Sequence, residues 1–146
     1  MGFYKDKNVL VTGGTGLIGR PLLEYLIDAG AKVTCASLDK PDDLDKRINF
    51  INVDLRDFDN CLNICKGRDL VFNLVGVKGS PKMCKEKPAS FYVPLVMMNT
   101  NFLEACRINK IKRLVYTSSI GAYSKGSIFR EKKSNFKNLP MDFYPG

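Results

Sequence analysis

The chain has 146 residues, 45% of them hydrophobic, with 23 Lys and Arg against 15 Asp and Glu for a formal net charge of +8. That size and composition suit one domain around one apolar core. The sequence contains no histidine, so Ser-His-Asp, Cys-His and His-metal chemistries are excluded, and any proton transfer falls to Ser, Tyr, Lys or carboxylates.

The first predicted strand, about residues 8–12, contains Val9-Leu10-Val11, a β-branched apolar run suited to a central parallel strand. A glycine turn follows at Gly13, Gly14, Gly16 and Gly19, and Leu17, Ile18, Leu22, Leu23 and Leu26 then recur at the spacing of a helix over about 17–29. Strand, glycine turn and helix start together read as a dinucleotide-binding loop. Gly13 permits the tight turn, Gly16 lets the backbone approach a pyrophosphate, and Gly19 lets helix and strand pack closely. The candidate cofactor-binding set here is Gly13, Thr15, Gly16, Leu17, Ile18 and Gly19, with phosphates on the free N–H groups of the helix start.

Further strands are predicted at about 32–36, 48–52, 69–74 and 112–118, with helices near 57–66 and 89–109. The stretch from Leu38 to Arg47 carries Pro41 and reads as a loop. Alternating strands and helices predict an α/β, doubly wound parallel sheet of about five strands, helices on both faces, in the order 3-2-1 with strands four and five beyond strand 1. Ligands bind such sheets outside the carboxyl ends of the strands. The remaining motifs fall there: Asp54-Leu-Arg-Asp57 after strand three, Asn73-Leu-Val-Gly76 after strand four and Tyr116-Thr-Ser-Ser-Ile-Gly-Ala-Tyr123 after strand five.

Asp54 is placed to accept a hydrogen bond from an adenine amine, with Leu55 beside it; Asp57 suits the cap of the following helix better. Leu74, Val75 and Gly76 let the backbone pass close to a ligand. The five cysteines, at 35, 61, 65, 84 and 106, have no zinc-site spacing and read as reduced thiols, so no metal is expected. Lys125, Arg130, Lys132, Lys133 and Lys137 form a basic cluster, but no recognition helix or aromatic platform accompanies it, and solvated surface is the better reading than nucleic-acid binding. No apolar run approaches the ~20 residues of a membrane-spanning helix and the start has no secretory pattern, so a cytoplasmic protein without a membrane partner is expected.

The Thr12-Gly-x-x-Gly-x-x-Gly19 spacing, Asp54-Leu-Arg-Asp57, Leu103-Glu-Ala-Cys106 and Lys112-Arg-Leu-Val-Tyr-Thr-Ser-Ser119 resemble the extended branch of the short-chain dehydrogenase/reductase superfamily across essentially the whole chain. The likeness is to its NAD-dependent epimerase/dehydratase family of nucleotide-sugar epimerases, dehydratases and reductases. The resemblance implies a Rossmann-fold NAD(P)-binding domain over 1–146, hydride transfer at a sugar carbon, and a nucleotide-sugar substrate. It assigns Ser119, four residues before Tyr123, to polarising a substrate oxygen, and Tyr144 to the family's Tyr-x-x-x-Lys acid/base.

The lysine of that motif would fall after Gly146, so the sequence reads as the N-terminal part of a longer enzyme, binding cofactor without appreciable turnover by itself. Ser37 stands where an acidic residue commonly holds the adenosine ribose; with Lys40 nearby it tolerates a 2′-phosphate and puts NADP on at least an equal footing with NAD, which Asp39 keeps open. Leu95 stands where the family often has a structural asparagine, with Asn99 one turn later. Pairing of two long helices, residues 89–109 here, implies a homodimer. The alternative is a non-catalytic NAD(P)-binding regulatory or scaffolding protein on the same fold.

Overall fold

The first strand, β1 (Asn8–Thr12), is buried almost throughout: Val9, Leu10, Val11 and Thr12 expose 0% of their surface. A strand covered on both faces must be apolar on both, which explains the unbroken Val-Leu-Val run. The computed structural model describes residues 2–39, 41 and 43–118. The chain divides into two units, Met1–Tyr116 and Thr117–Gly146, and the fold below is that of the first.

Around β1 the chain sets α1 (Gly19–Asp28), β2 (Lys32–Ser37), β3 (Asn49–Asn52), α2 (Phe58–Cys65), β4 (Leu70–Asn73), α3 (Pro81–Glu86), α4 (Pro88–Ile108) and β5 (Arg113–Tyr116). The strands form one parallel sheet in the order β3-β2-β1-β4-β5. β1 lies between β2 and β4, with Val9 opposite both Val33 and Leu70. Chain order reverses there, so the crevice above the ends of β1 and β4 is the expected ligand position in an open α/β sheet.

Side-chain alternation splits the core by face. Val9 and Val11 join Leu23, Leu26 and Ile27 of α1, while Leu10 joins Cys61, Ile64 and Cys65 of α2 and Met98, Phe102, Ala105 and Cys106 of α4. Helices therefore cover both faces. Phe102 exposes none of its surface, and burying such a side chain contributes about 2–3 kcal/mol.

Three features depart from the sequence expectation. Leu17 and Ile18 are not on the buried face of a helix; they are 93% and 63% exposed in the turn before α1. The helix starts only at Gly19, where the chain crosses Gly14 so closely that a side-chain carbon would lie 2.5 Å from Gly14 Cα. An extra helix, α3, precedes the long one, with the Ser80 hydroxyl accepting from the Met83 N–H and proline in its first turn. Finally β5, the edge strand of the sheet among the described residues, is exposed at all four residues.

The loop reading of residues 38–47 holds, with no helix or strand among the described residues there. Asp57 caps α2, accepting from the Asp59 and Asn60 N–H groups at 2.8 and 3.2 Å.

Candidate cofactor site

The turn after β1 is shaped by what its glycines exclude. Gly13 has φ of +67°, and a Cβ there would meet the Leu74 carbonyl oxygen at 2.8 Å, so the turn and the β4 end close on each other only without a side chain. Its N–H donates to the Ala36 carbonyl at 2.9 Å, holding the turn against β2 as well. Gly16 differs: a Cβ would meet only the Gly13 oxygen, at 3.3 Å, so its remaining surroundings are open.

Helix α1 begins without a cap. Ile18 occupies the cap position, makes no side-chain hydrogen bond to the helix, and no acidic residue stands in the first turn. With no side-chain cap, the positive end of the helix dipole faces an anion; the Arg20 N–H donates to the Gly16 carbonyl at 3.1 Å and Pro21 has none, so the backbone of Leu17 to Gly19 is the part that faces it. Together with the open side of Gly16, these features fit a pyrophosphate against the backbone.

A cavity of about 600 Å³ opens at the carboxyl ends of β1, β2, β3 and β4, within the ~300–1,000 Å³ range of small-molecule sites. Of the residues expected from sequence, it gathers Gly13, Thr15, Gly16, Leu17, Ser37, Leu55, Leu74, Val75 and Gly76. Ile18, Gly19 and Asp54 are not in its wall. Ser119 and Tyr144 lie outside the described residues, as do the basic cluster at 125–137 and Lys40.

Two hydroxyls meet in the wall, with Thr15 Oγ1 and Ser37 Oγ 2.9 Å apart, so Ser37 links the glycine turn to the end of β2. The Asp54 carboxylate turns to its neighbour. Arg56 grips it through the backbone N–H at 2.9 Å, Nε at 2.9 and 3.0 Å to its two oxygens, and Nη2. That hydrogen-bonded Arg56 side chain holds the Asp54 carboxyl below the usual carboxylate range despite some burial. The consequence is that Leu55 and Arg56, not Asp54, face the cavity. Across the mouth, Lys78 Nζ pairs with Asp39 Oδ2 at 2.5 Å.

A polar relay runs from β1 through β4 to α4, buried at the sheet and exposed at the helix. The Thr12 hydroxyl donates to Asn73 Oδ1 at 2.6 Å, Asn73 Nδ2 donates to Asn99 Oδ1 at 2.9 Å, and Asn99 Nδ2 donates to the Leu95 carbonyl at 2.8 Å. Asn99 thus ties α4 to the sheet, while Leu95 supplies the backbone oxygen. Beneath the turn Cys35 is fully buried, and burial pushes its thiol up to about 11.

Sequence reasoning passed over Arg56, Lys78, Pro94 and Met98, all in the cavity wall. Pro94 and Met98 are four apart on α4 and so share one helix face. Lys78 lies two residues past Gly76 on the same strand-end segment, a signal that was present but not used. Among the described residues, no group of three or more His, Cys, Asp or Glu side chains is arranged to hold a metal ion, and no helix is long and apolar enough to cross a membrane.

Comparison with known proteins agrees with this geometry. The family model for the NAD dependent epimerase/dehydratase family matches residues 9–145. The chain is 30% identical over 140 residues to GDP-mannose 3,5-epimerase 1 of Oryza sativa subsp. japonica, covering 94% of this chain and 36% of that protein. It is 28% identical over 141 residues to short-chain dehydrogenase/reductase family 42E member 1 of Xenopus laevis, again covering 94% and 36%. Among solved structures, an epimerase from Methanothermobacter thermautotrophicus superposes with a TM-score of 0.77 at 28% identity, covering 88% of this chain and 40% of that one. UDP-N-acetylglucosamine 4-epimerase from Methanobrevibacter ruminantium M1, solved with UDP-N-acetylmuramic acid, gives 0.74 at 29% identity, covering 94% and 45%. The chain spans 36–45% of the length of these relatives. With the family's glycine turn, its parallel sheet and a match along nearly its whole length, the chain belongs to the NAD dependent epimerase/dehydratase family.

Proposed function

We propose that the cavity binds a nicotinamide dinucleotide, NAD or NADP, and that the protein acts as an NAD(P)-dependent nucleotide-sugar epimerase, dehydratase or reductase. The observation that carries this reading is the uncapped start of α1 beside Gly16, opening onto a cavity walled by the ends of β2 and β4. The backbone N–H groups of Leu17, Ile18 and Gly19, between the glycine turn and α1, hold the pyrophosphate, since those of Gly13, Gly16 and Arg20 donate within the protein. Thr15 and Ser37 present hydroxyls toward the adenosine ribose, and the absence of a carboxylate at position 37 leaves room for a 2′-phosphate. Leu55 and Arg56 flank the adenine, while Leu74, Val75 and Gly76 line the path toward the nicotinamide.

When bound, the nicotinamide supplies a hydride acceptor and donor. Ser119 then polarises the reacting sugar oxygen and Tyr144 exchanges its proton, the latter needing a pKa brought well below the ordinary value of about 10. Support for these two roles is their position in the family pattern. The nucleotide-sugar class rests on the relatives, among which GDP-mannose and UDP-N-acetylglucosamine epimerases recur.

Calorimetric titration of the chain with NAD⁺ and NADP⁺, alongside Gly16→Asp, tests the reading. Saturable binding that the carboxylate at position 16 abolishes is the expected result. Absence of binding to either dinucleotide, or binding unaffected by Gly16→Asp, contradicts it.

A further inference from the structure

Four of the five thiols are buried, and two of them touch: Cys65 Sγ and Cys106 Sγ lie 3.7 Å apart between α2 and α4. We propose that Cys65 and Cys106 are a redox pair, which an oxidant of the peroxide class converts into a disulfide joining α2 to α4.

Several observations single out this pair. The sulfurs need about 1.7 Å of approach, from 3.7 Å to the ~2.0 Å of a disulfide. Both sit where helices end and small adjustments are easiest. Cys65 is the last residue of α2, followed by extended Lys66 and by Gly67 at φ +69°, and Cys106 is in the last turn of α4. The other thiols are placed differently. Cys61 donates to the Leu55 carbonyl at 3.2 Å, Cys35 belongs to the core on the opposite face of the sheet, and Cys84 is exposed on α3.

Either sulfur can donate in this contact, and one of the two thiols supplies the thiolate. That thiolate attacks one peroxide oxygen, the O–O bond breaks, and the departing hydroxide takes up the proton the thiol released to form water. The resulting sulfenic acid is attacked at sulfur by the other cysteine; the S–O bond breaks and the oxygen leaves as a second water with that cysteine's proton. Two thiols lose two electrons and one hydrogen peroxide becomes two waters.

The test treats the folded chain with hydrogen peroxide, alkylates remaining thiols in denaturant and maps the peptides by mass spectrometry. Exposed Cys84 reports that the oxidant acted. The expected result is a dithiothreitol-reversible crosslink between the Cys65 and Cys106 peptides, with a Tm several degrees higher than that of the reduced chain. Cys65→Ser and Cys106→Ser are each expected to lose that Tm rise, and one of the two to accumulate a sulfenic acid at the remaining cysteine, trapped by dimedone. Both cysteines recovered as free thiols while Cys84 is oxidised, or pairing of either only with Cys61, overturns the proposal. The map of the unsubstituted chain decides even where a variant fails to fold.

Discussion

The Thr12 hydroxyl donates to Asn73 Oδ1 at 2.6 Å, joining the carboxyl ends of β1 and β4 beneath the glycine turn. Both side chains are buried, at 0% and 1% exposure. Replacing Thr12 by Val keeps the shape but removes this donor from a buried amide oxygen, which costs about 1–3 kcal/mol. Urea unfolding of Thr12→Val is expected to show that loss, and a double-mutant cycle with Asn73→Leu to show coupling between the two sites.

The glycines of the turn separate by role. At Gly19 a Cβ would meet Gly14 backbone atoms at 2.5 Å, and backbone yields poorly. Gly19→Ala is expected to destabilise by about 2 kcal/mol or more. At Gly16 the one close atom is the Gly13 oxygen at 3.3 Å, so Gly16→Ala is expected to lower Tm less than Gly19→Ala does while weakening dinucleotide binding. Thermal melts and titrations of both variants check this ordering.

Much of the fold was legible because its signals are local and mutually consistent. The Val9-Leu10-Val11 run, the glycine turn and the Asp57 cap each carry one strong physical cause, and strand order followed from right-handed crossovers. The α1 start was misread for a related reason: Leu17 and Ile18 have helical spacing, but the Gly14–Gly19 crossing, a tertiary contact, decides where the helix begins. α3 was missed because six residues are too few for a periodic pattern; its signal was the Ser80-Pro81 pair. In the site, the residues overlooked were those brought in by tertiary folding, such as Met98 from α4 and Arg56 turned into the wall by its grip on Asp54.

The Asp54–Arg56 pair has a pH signature. Because Arg56 lowers the folded-state pKa of Asp54, the pair's contribution is present above the unfolded carboxylate pKa and is lost as pH falls through the lower folded value. NMR titration of the side-chain carboxyl is expected to give a midpoint below the ordinary value of about 3.9. Arg56→Ala is expected to return that midpoint toward it.

Phe102 anchors α4 in the core shared with α2, fully buried against Leu10 and Val71 of the sheet. Phe102→Ala is expected to cost about 3–5 kcal/mol through lost transfer energy and the cavity left behind. Denaturant unfolding measures it, and a loss under 1 kcal/mol would contradict this packing.

Location of the ligand is the most direct test of the central claim. Backbone amide spectra recorded while NAD⁺ or NADP⁺ is added are predicted to shift most at Gly13, Gly16, Ser37, Leu55 and Gly76, the residues that four strand ends bring to one cavity. Saturable shifts concentrated elsewhere, or none with either dinucleotide, would contradict the assignment of this cavity as the cofactor site.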